Sequence, residues 1–119
     1  MRALLTLSIL GLAFTAAGCA RSAAAQMGDR NNGKLVIARQ ACGSCHIIPG
    51  IDGADGMAGP SLAHFSQHST VGGVLANTPD DLVAWLRHPQ TYVPGNAMPD
   101  MGLTEPQARD VAAFLYSIP

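Results

Sequence analysis

Two cysteines and a histidine fall in one five-residue stretch, Cys42-Gly43-Ser44-Cys45-His46. This C-x-x-C-H pattern is the attachment signature of a c-type haem. Each thiol can form a thioether with a haem vinyl group, and the following imidazole can then coordinate the iron. A thioredoxin-like dithiol would need a βαβ setting, and a zinc site would need a second pair of ligands. The sequence offers neither, so it predicts one covalently bound haem c.

The second axial ligand is less tightly specified by the sequence. Of the candidate side chains we select Met98, because the segment 94–99 (PGNAMP) is an irregular, apolar loop that is free to approach the iron. Met101 is the nearest rival, and His64 is the best candidate for bis-histidine ligation. The remaining candidates, predicted to be filler or surface residues, are Met57, His68 and His88. Methionine and histidine together occupy both iron positions, which is typical of an electron carrier, whereas an open position would permit peroxidase or gas-binding chemistry.

A glycine- and proline-rich run, residues 47–60, follows the C-x-x-C-H motif and cannot form a regular element. Its aspartates, Asp52 and Asp55, raise the alternative of a calcium loop, but their spacing misses the EF-hand pattern and the closing glutamate is absent. We therefore interpret them as solvated turn residues. The apolar members of the run are expected to cover haem or core: Ile47, Ile48 and Ile51.

The elements that must position these residues are predicted to be helices. A short helix is expected between Gly33 and Ala41, capped by Asn31 or Asn32 and running directly into Cys42. A single helical turn is expected within residues 61–68. No strand pattern of convincing length is present.

Two further helices carry clear start signals. Thr78 is an N-cap for a helix that stops at Pro89, and Thr104 and Gln107 form a capping box for a C-terminal helix that ends near Ser117. The spacing of the apolar residues of this last helix predicts one buried face: Ala108, Val111, Ala112, Leu115 and Ile118, with Phe114 beside it.

Residues 1–18 have the pattern of a signal peptide, with Arg2 followed by an apolar stretch and small residues. The segment 16–19 (AAGC) is similar to a lipoprotein cleavage site, so we expect lipidation of Cys19, although alanine replaces the usual leucine. The alternatives are cleavage after the A-x-A pattern at 23–25 and an uncleaved anchor. Both lipidation and simple cleavage predict an exported, periplasmic protein.

The mature chain is predicted to have two parts. Residues 19–31 are small, polar and irregular, and they indicate a flexible tether, whereas residues 32–119 form one domain. The net charge of the full chain is −1, with scattered basic residues, which argues against a nucleic-acid partner. Removal of Arg2 makes the mature protein slightly more acidic.

The motifs and their order resemble those of bacterial class I cytochromes c over roughly residues 30–118. The matching features are Gly33, Cys42-Gly43-Ser44-Cys45-His46, Gly59-Pro60-Ser61-Leu62, Trp85, Asn96-Ala97-Met98-Pro99 and Ala113-Phe114-Leu115-Tyr116. The resemblance implies an all-α, small cytochrome c fold in which N- and C-terminal helices cross and loops wrap one covalently bound haem. One departure is the absence of the lysine ring by which some members dock their oxidases.

Further roles follow from the resemblance. Gly33 would admit the ring of Phe114 where the helices cross, and the carbonyl of Pro60 would accept a bond from His46. The indole N–H of Trp85 would contact a haem propionate, with a core aromatic as the alternative.

We expect a monomeric electron carrier, not an enzyme, that exchanges electrons with redox proteins such as a quinol:cytochrome c reductase and a terminal oxidase. The membrane is expected to contact it only through the lipid anchor. One alternative is a cytochrome subunit fixed to a specific dehydrogenase or terminal oxidase. Another, less favoured, is an enzyme or sensor with an open iron position, but the chain offers no paired carboxylates around an evident pocket.

Overall fold

The computed structural model describes residues 27–119; the predicted signal peptide, the lipidation site Cys19 and most of the predicted tether lie outside this range. Four helices form the frame: α1 (Arg30–Arg39), α2 (Pro79–Arg87), α3 (Pro89–Tyr92) and α4 (Glu105–Ser117). Two 3₁₀ turns lie at Cys42–Ser44 and Phe65–Gln67, and two strands, β1 (Thr70–Val71) and β2 (Leu75–Ala76), form an antiparallel hairpin. No helix within residues 27–119 is long and apolar enough to span a bilayer.

Helix α1 begins slightly earlier than the sequence indicates. Its N-cap is Asp29, whose carboxylate accepts bonds from the backbone N–H groups of Asn31 and Asn32 at 2.7 and 3.0 Å. Asn31 and Asn32, which the sequence indicated as caps, therefore donate their backbone N–H groups to the cap, and Asp29 provides the capping side chain. The backbone N–H of Asp29 also donates to Asp110 on α4 at 2.7 Å, which ties the start of α1 to the last helix.

Helices α1 and α4 make the most extensive contact between elements of the described chain, and Gly33 lies against the backbone of α4 in this contact. A Cβ at Gly33 would overlap the carbonyl group of Asp110 and approach the amide of Val111. The atoms nearest to Gly33 thus belong to the backbone of α4 and not to the ring of Phe114, which the resemblance implied as its partner. Phe114 is buried, and the end of its ring lies near Gly50. Backbone contact at this site requires glycine because any side chain would separate the helices.

The core forms around one face of α4. All five residues of the predicted apolar stripe are at most 7 % exposed, and Phe114 is 8 % exposed. The capping box is present, with the backbone amide of Gln107 donating to Thr104 and the side chain of Gln107 accepting from Thr104. Helix α2 is likewise capped by Thr78. Other members of the core come from α1, α2 and the loops: Ile37, Ile48, Phe65, Val71, Leu82, Val83, Leu86 and Leu103.

Candidate haem-binding site

The C-x-x-C-H motif lies on a tight turn that follows α1. The helix ends at Arg39, and Ala41 adopts a left-handed conformation (φ 53°) before the 3₁₀ turn Cys42–Ser44. The carbonyl of Ala41 accepts two bonds from Ser44, at 3.0 Å from its N–H and 2.7 Å from its hydroxyl. The helix thus does not run directly into Cys42 as expected. The left-handed conformation of Ala41 separates α1 from the 3₁₀ turn that contains Cys42.

The two cysteines of the motif are free thiols. Cys42 is half-buried and packs against the hydrophobic core, whereas Cys45 is exposed. Burial raises the pKa of the Cys42 thiol, and the nearby Cys45 adds to this effect. Neither sulfur is consumed by a disulfide, so both can form thioethers.

The imidazole of His46 is fixed by one hydrogen bond. Its Nδ1 lies 2.7 Å from the carbonyl oxygen of Pro60, so the ring donates its Nδ1–H there. This is the contact that the sequence resemblance implied. In this tautomer the lone pair of Nε2 is available to a metal ion, and the hydrogen bond fixes the orientation of the ring.

The glycines of the segment 47–60 bring the backbone against the motif. A Cβ on Gly59 would overlap the His46 ring, and a Cβ on Gly56 would overlap the backbone between Ser44 and Cys45. Backbone bonds join the same parts, from the N–H of Gly59 to the carbonyl of Cys45 at 2.7 Å and from Gly56 to Gly43 at 3.0 Å. The glycine-rich run is therefore a close-fitting support that holds the imidazole in place. Its two aspartates are exposed, as expected for solvated turn residues.

Trp85 projects from α2 and meets the hairpin that the sequence did not predict. Gly72, at the turn of the hairpin, has φ +58° and lies so close to the six-membered ring of Trp85 that a side chain there would overlap it. Trp85 is half-buried and packs against the core. Within residues 27–119 its indole N–H donates to no protein acceptor, so the group is free to bind a ligand such as a propionate.

Met98 lies on the loop between α3 and α4. The side chains of Met98 and Met101 are both half-buried against the core, so burial does not separate them. The two methionines differ in the hydrogen bonds of their backbone. The backbone N–H of Met98 donates to the side chain of Asn96 at 2.8 Å, and the carbonyl of Met98 accepts from Gln90 at 2.7 Å. No comparable side-chain bond to Met101 exists in the described chain.

The other candidate ligands have different surroundings. His68 contacts the ring of Phe65, with centroids 5.1 Å apart, and its Nε2 lies 3.1 Å from the carbonyl of Ala63. His64 is exposed in a left-handed conformation (φ 54°) and is held through its backbone by Pro119. His88 caps the end of α2, and Met57, within the glycine-rich run 47–60, is 86 % exposed.

The side chains of the C-x-x-C-H turn are the chemical groups that a c-type haem requires. The turn supplies two free thiols and one imidazole with an unprotonated Nε2 atom, and Gly59 provides space that only a residue without a side chain leaves beside that ring. A cluster of three or more His, Cys, Asp or Glu side chains suited to a bare metal ion is absent from residues 27–119.

The sequence did not predict the hydrogen bonds by which two residues, Asn96 and Gln90, hold the Met98 loop. Asn96 was noted only as part of a motif, although its bond to the residue two positions on is the ordinary turn chemistry of asparagine and could have been predicted. Gln90 carries no local signal, because its partners lie five to eight residues away along an irregular loop.

Known proteins are similar to this chain over most of its length. The family model described as Cytochrome c matches residues 31–119. Cytochrome c oxidase subunit 2 of Alkalihalophilus pseudofirmus is 33 % identical over 89 residues, which cover 74 % of this chain and 25 % of that protein. Cytochrome c oxidase subunit 2 of Bacillus sp. strain PS3 is 31 % identical over 86 residues, which cover 69 % of this chain and 24 % of that protein. The chain thus spans about a quarter of the length of these relatives.

Proposed function

We propose that this chain, which belongs to the cytochrome c family, is a monohaem electron carrier whose iron is held by His46 and Met98. Family membership implies a covalently bound haem c. The observation that carries the assignment to this site is the 2.7 Å contact between His46 Nδ1 and the Pro60 carbonyl. It fixes the tautomer that a proximal ligand needs, directly beside two free thiols.

The bound haem supplies an iron that exchanges one electron between its ferrous and ferric states. The protein supplies attachment through Cys42 and Cys45, a fixed imidazole through His46, and a thioether from Met98. Methionine favours the ferrous state, so this ligand raises the reduction potential. Trp85 offers an indole donor to a propionate. No proton transfer or bond cleavage is assigned to any side chain.

Its partners are proposed from the relatives and from the chain's export pattern. Both matched relatives are named as subunits of a cytochrome c oxidase, which supports a terminal oxidase as electron acceptor. A quinol:cytochrome c reductase is the corresponding donor. We place the protein in the periplasm, tethered through lipidated Cys19. Replacement Cys19→Ser is expected to move the holoprotein from the membrane fraction to the soluble fraction, and unchanged membrane association would contradict the lipid anchor.

A second candidate function is a cytochrome subunit that stays bound to one terminal oxidase. The names of the relatives favour it, because they describe oxidase subunits. The two functions use the same site and differ in residence time on the partner. Co-purification of the full chain with an oxidase through a salt wash would support the fixed subunit, whereas a chain that elutes alone would support the mobile carrier.

The ligand set is tested by the weak near-infrared absorption band of oxidised methionine-ligated haem. We expect the wild-type holoprotein and Met101→Ala to show this band and Met98→Ala to lack it. Loss of the band in Met101→Ala alone would transfer the ligand role to Met101. Absence of the band from the wild type would overturn methionine ligation and favour either His64 or an open position.

A further inference from the structure

The carboxamide of Gln90 bonds to three backbone groups of the loop that carries Met98. Its Nε2 donates to the carbonyl oxygens of Asn96 at 2.9 Å and Met98 at 2.7 Å. Its Oε1 accepts from the N–H of Gly95 at 2.9 Å. Both N–H bonds and the oxygen of one side chain are thus directed to a single loop, 95–98.

The backbone of Gln90 is fixed by its neighbours. It follows Pro89, which is fully buried, and lies in the short helix α3 directly after the end of α2. Its backbone N–H also lies 3.4 Å from the carboxylate of Asp100, beyond the Met98 loop. The side chain is half-buried, so these bonds are partly shielded from competing water.

Asn96 completes the arrangement from inside the loop. Its Nδ2 donates to the carbonyls of Pro89 at 3.2 Å and Val93 at 2.7 Å, while its Oδ1 accepts from the N–H of Met98. The amide of Met98 is therefore bound by Asn96 and its carbonyl by Gln90. The backbone of the ligand residue is fixed on both sides by side chains that originate or anchor at α3.

We propose that Gln90 is a positioning residue that sets how firmly Met98 holds the iron. The inference rests on the proposed function, in which Met98 is the second ligand. Thioether coordination is weak enough to depend on how well the chain presents the sulfur. The loop contains Gly95 in a left-handed conformation (φ +80°), and besides the bonds of Asn96 it is held by those of Gln90. When the three bonds of Gln90 are lost, the loop visits conformations in which the sulfur is away from the iron, and an external ligand competes more successfully.

The test uses imidazole as a competing ligand for the ferric holoprotein, together with the near-infrared band. Gln90→Leu keeps the bulk of the side chain and removes all three bonds, and Gln90→Glu keeps the acceptor for Gly95 but replaces the donors to Asn96 and Met98 by oxygen. We expect imidazole to bind both variants at least roughly tenfold more tightly than the wild type, because each variant loses two or more hydrogen bonds to the loop. The reduction potential of both variants is expected to fall.

Gln107→Ala is the matched control. Gln107 is also a glutamine whose side chain bonds backbone, but in the capping box of α4 and not on the Met98 loop. This variant is expected to lose stability to urea and to keep the wild-type imidazole affinity, band and potential. A general loss of stability therefore cannot imitate the effect expected for Gln90.

The outcomes separate the two proposals. A wild type without the band overturns methionine ligation itself. A wild type with the band, whose Gln90→Leu and Gln90→Glu variants bind imidazole no more tightly than Gln107→Ala does, leaves the electron carrier intact and overturns the role of Gln90. If Gln90→Leu does not accumulate as holoprotein, Gln90→Glu decides by the same comparison, because it retains the polar shape of the native side chain.

Discussion

The hydroxyl of Tyr116 on α4 donates to the Oδ1 of Asn77 at 2.6 Å. The Nδ2 of Asn77 in turn donates to the carbonyls of Phe65 at 2.9 Å and His68 at 2.8 Å. One half-buried carboxamide therefore joins the last helix, the 3₁₀ turn at Phe65–Gln67 and the chain that follows the hairpin. The ring of Phe65 also packs edge-on against Tyr116, with centroids 5.6 Å apart.

Replacement of Asn77 should destabilise the fold without affecting the iron ligands. Asn77→Ala leaves the Tyr116 hydroxyl and the His68 carbonyl without partners and removes one of the two bonds to the Phe65 carbonyl. We therefore expect the free energy of unfolding to fall by about 2–3 kcal/mol. Urea denaturation of the holoprotein measures it. Asn31→Ala, at an exposed position on α1, is the control and should change the value by less than about 0.5 kcal/mol. Equal effects of the two replacements would contradict the bridging role of Asn77.

Tyr116 also predicts a loss of stability in alkali. Burial, and then the nearby charge of Asp81, raise the pKa of the Tyr116 phenol above its ordinary value of 10.0. The folded protein thus keeps this proton in a pH interval where the unfolded chain releases it. This contribution is present below about pH 10 and is lost as the pH rises through the folded-state pKa.

The check compares the wild type with Tyr116→Phe by urea denaturation near neutrality and at about pH 10.5, just above the ordinary phenol pKa. The phenylalanine variant has no proton to lose at this position, so its stability should fall less between the two conditions. An equal fall in both proteins would show that Tyr116 does not contribute to the alkaline loss.

Gly59→Ala tests the support behind the proximal imidazole. The new methyl group would overlap the His46 ring, so either the ring or the loop must move, at a cost of about 1–3 kcal/mol. We expect fewer covalently attached haems per polypeptide and a weakened Nδ1 bond to Pro60. Met57→Ala, two residues away and exposed, should leave haem content unchanged. Full haem content in Gly59→Ala would show that the ring does not need this space.

Gly33→Ala tests the contact between α1 and α4. A methyl group there would meet the carbonyl of Asp110, a backbone group that cannot rotate away, so we expect a loss of about 3 kcal/mol or more in the free energy of unfolding. Leu35→Ala, at a 52 % exposed position of the same helix, should cost less than about 1 kcal/mol. A small effect of Gly33→Ala would mean that the helices separate easily at this point.

Local signals predicted much of the fold. The apolar stripe of α4, its capping box and the Thr78 cap all depend on residues three or four positions apart, and the structure confirms them. The C-x-x-C-H motif is local for the same reason, and the family match supports its interpretation. Patterns of this kind are visible in a sequence because helix geometry alone brings the residues together.

Contacts between distant segments were harder to predict. The resemblance implied the ring of Phe114 beside Gly33, and nothing in the sequence indicated that the backbone of Asp110 lies closer, because that contact depends on how α4 is rotated against α1. The hairpin at Thr70–Ala76 has strands of only two residues. Such strands are too short to show the alternation of apolar and polar residues by which a strand is predicted. The three bonds of Gln90 likewise depend on how an irregular loop folds back onto α3.

The central claim is that His46 and Met98 close both positions of the iron, which makes the protein an electron carrier. Addition of carbon monoxide to the reduced wild-type holoprotein tests it most directly, because this ligand binds only where an iron position is open. We predict an unchanged visible spectrum at saturating carbon monoxide. Conversion to a carbon monoxide complex would contradict the account and show that the iron is open to a substrate or a gas.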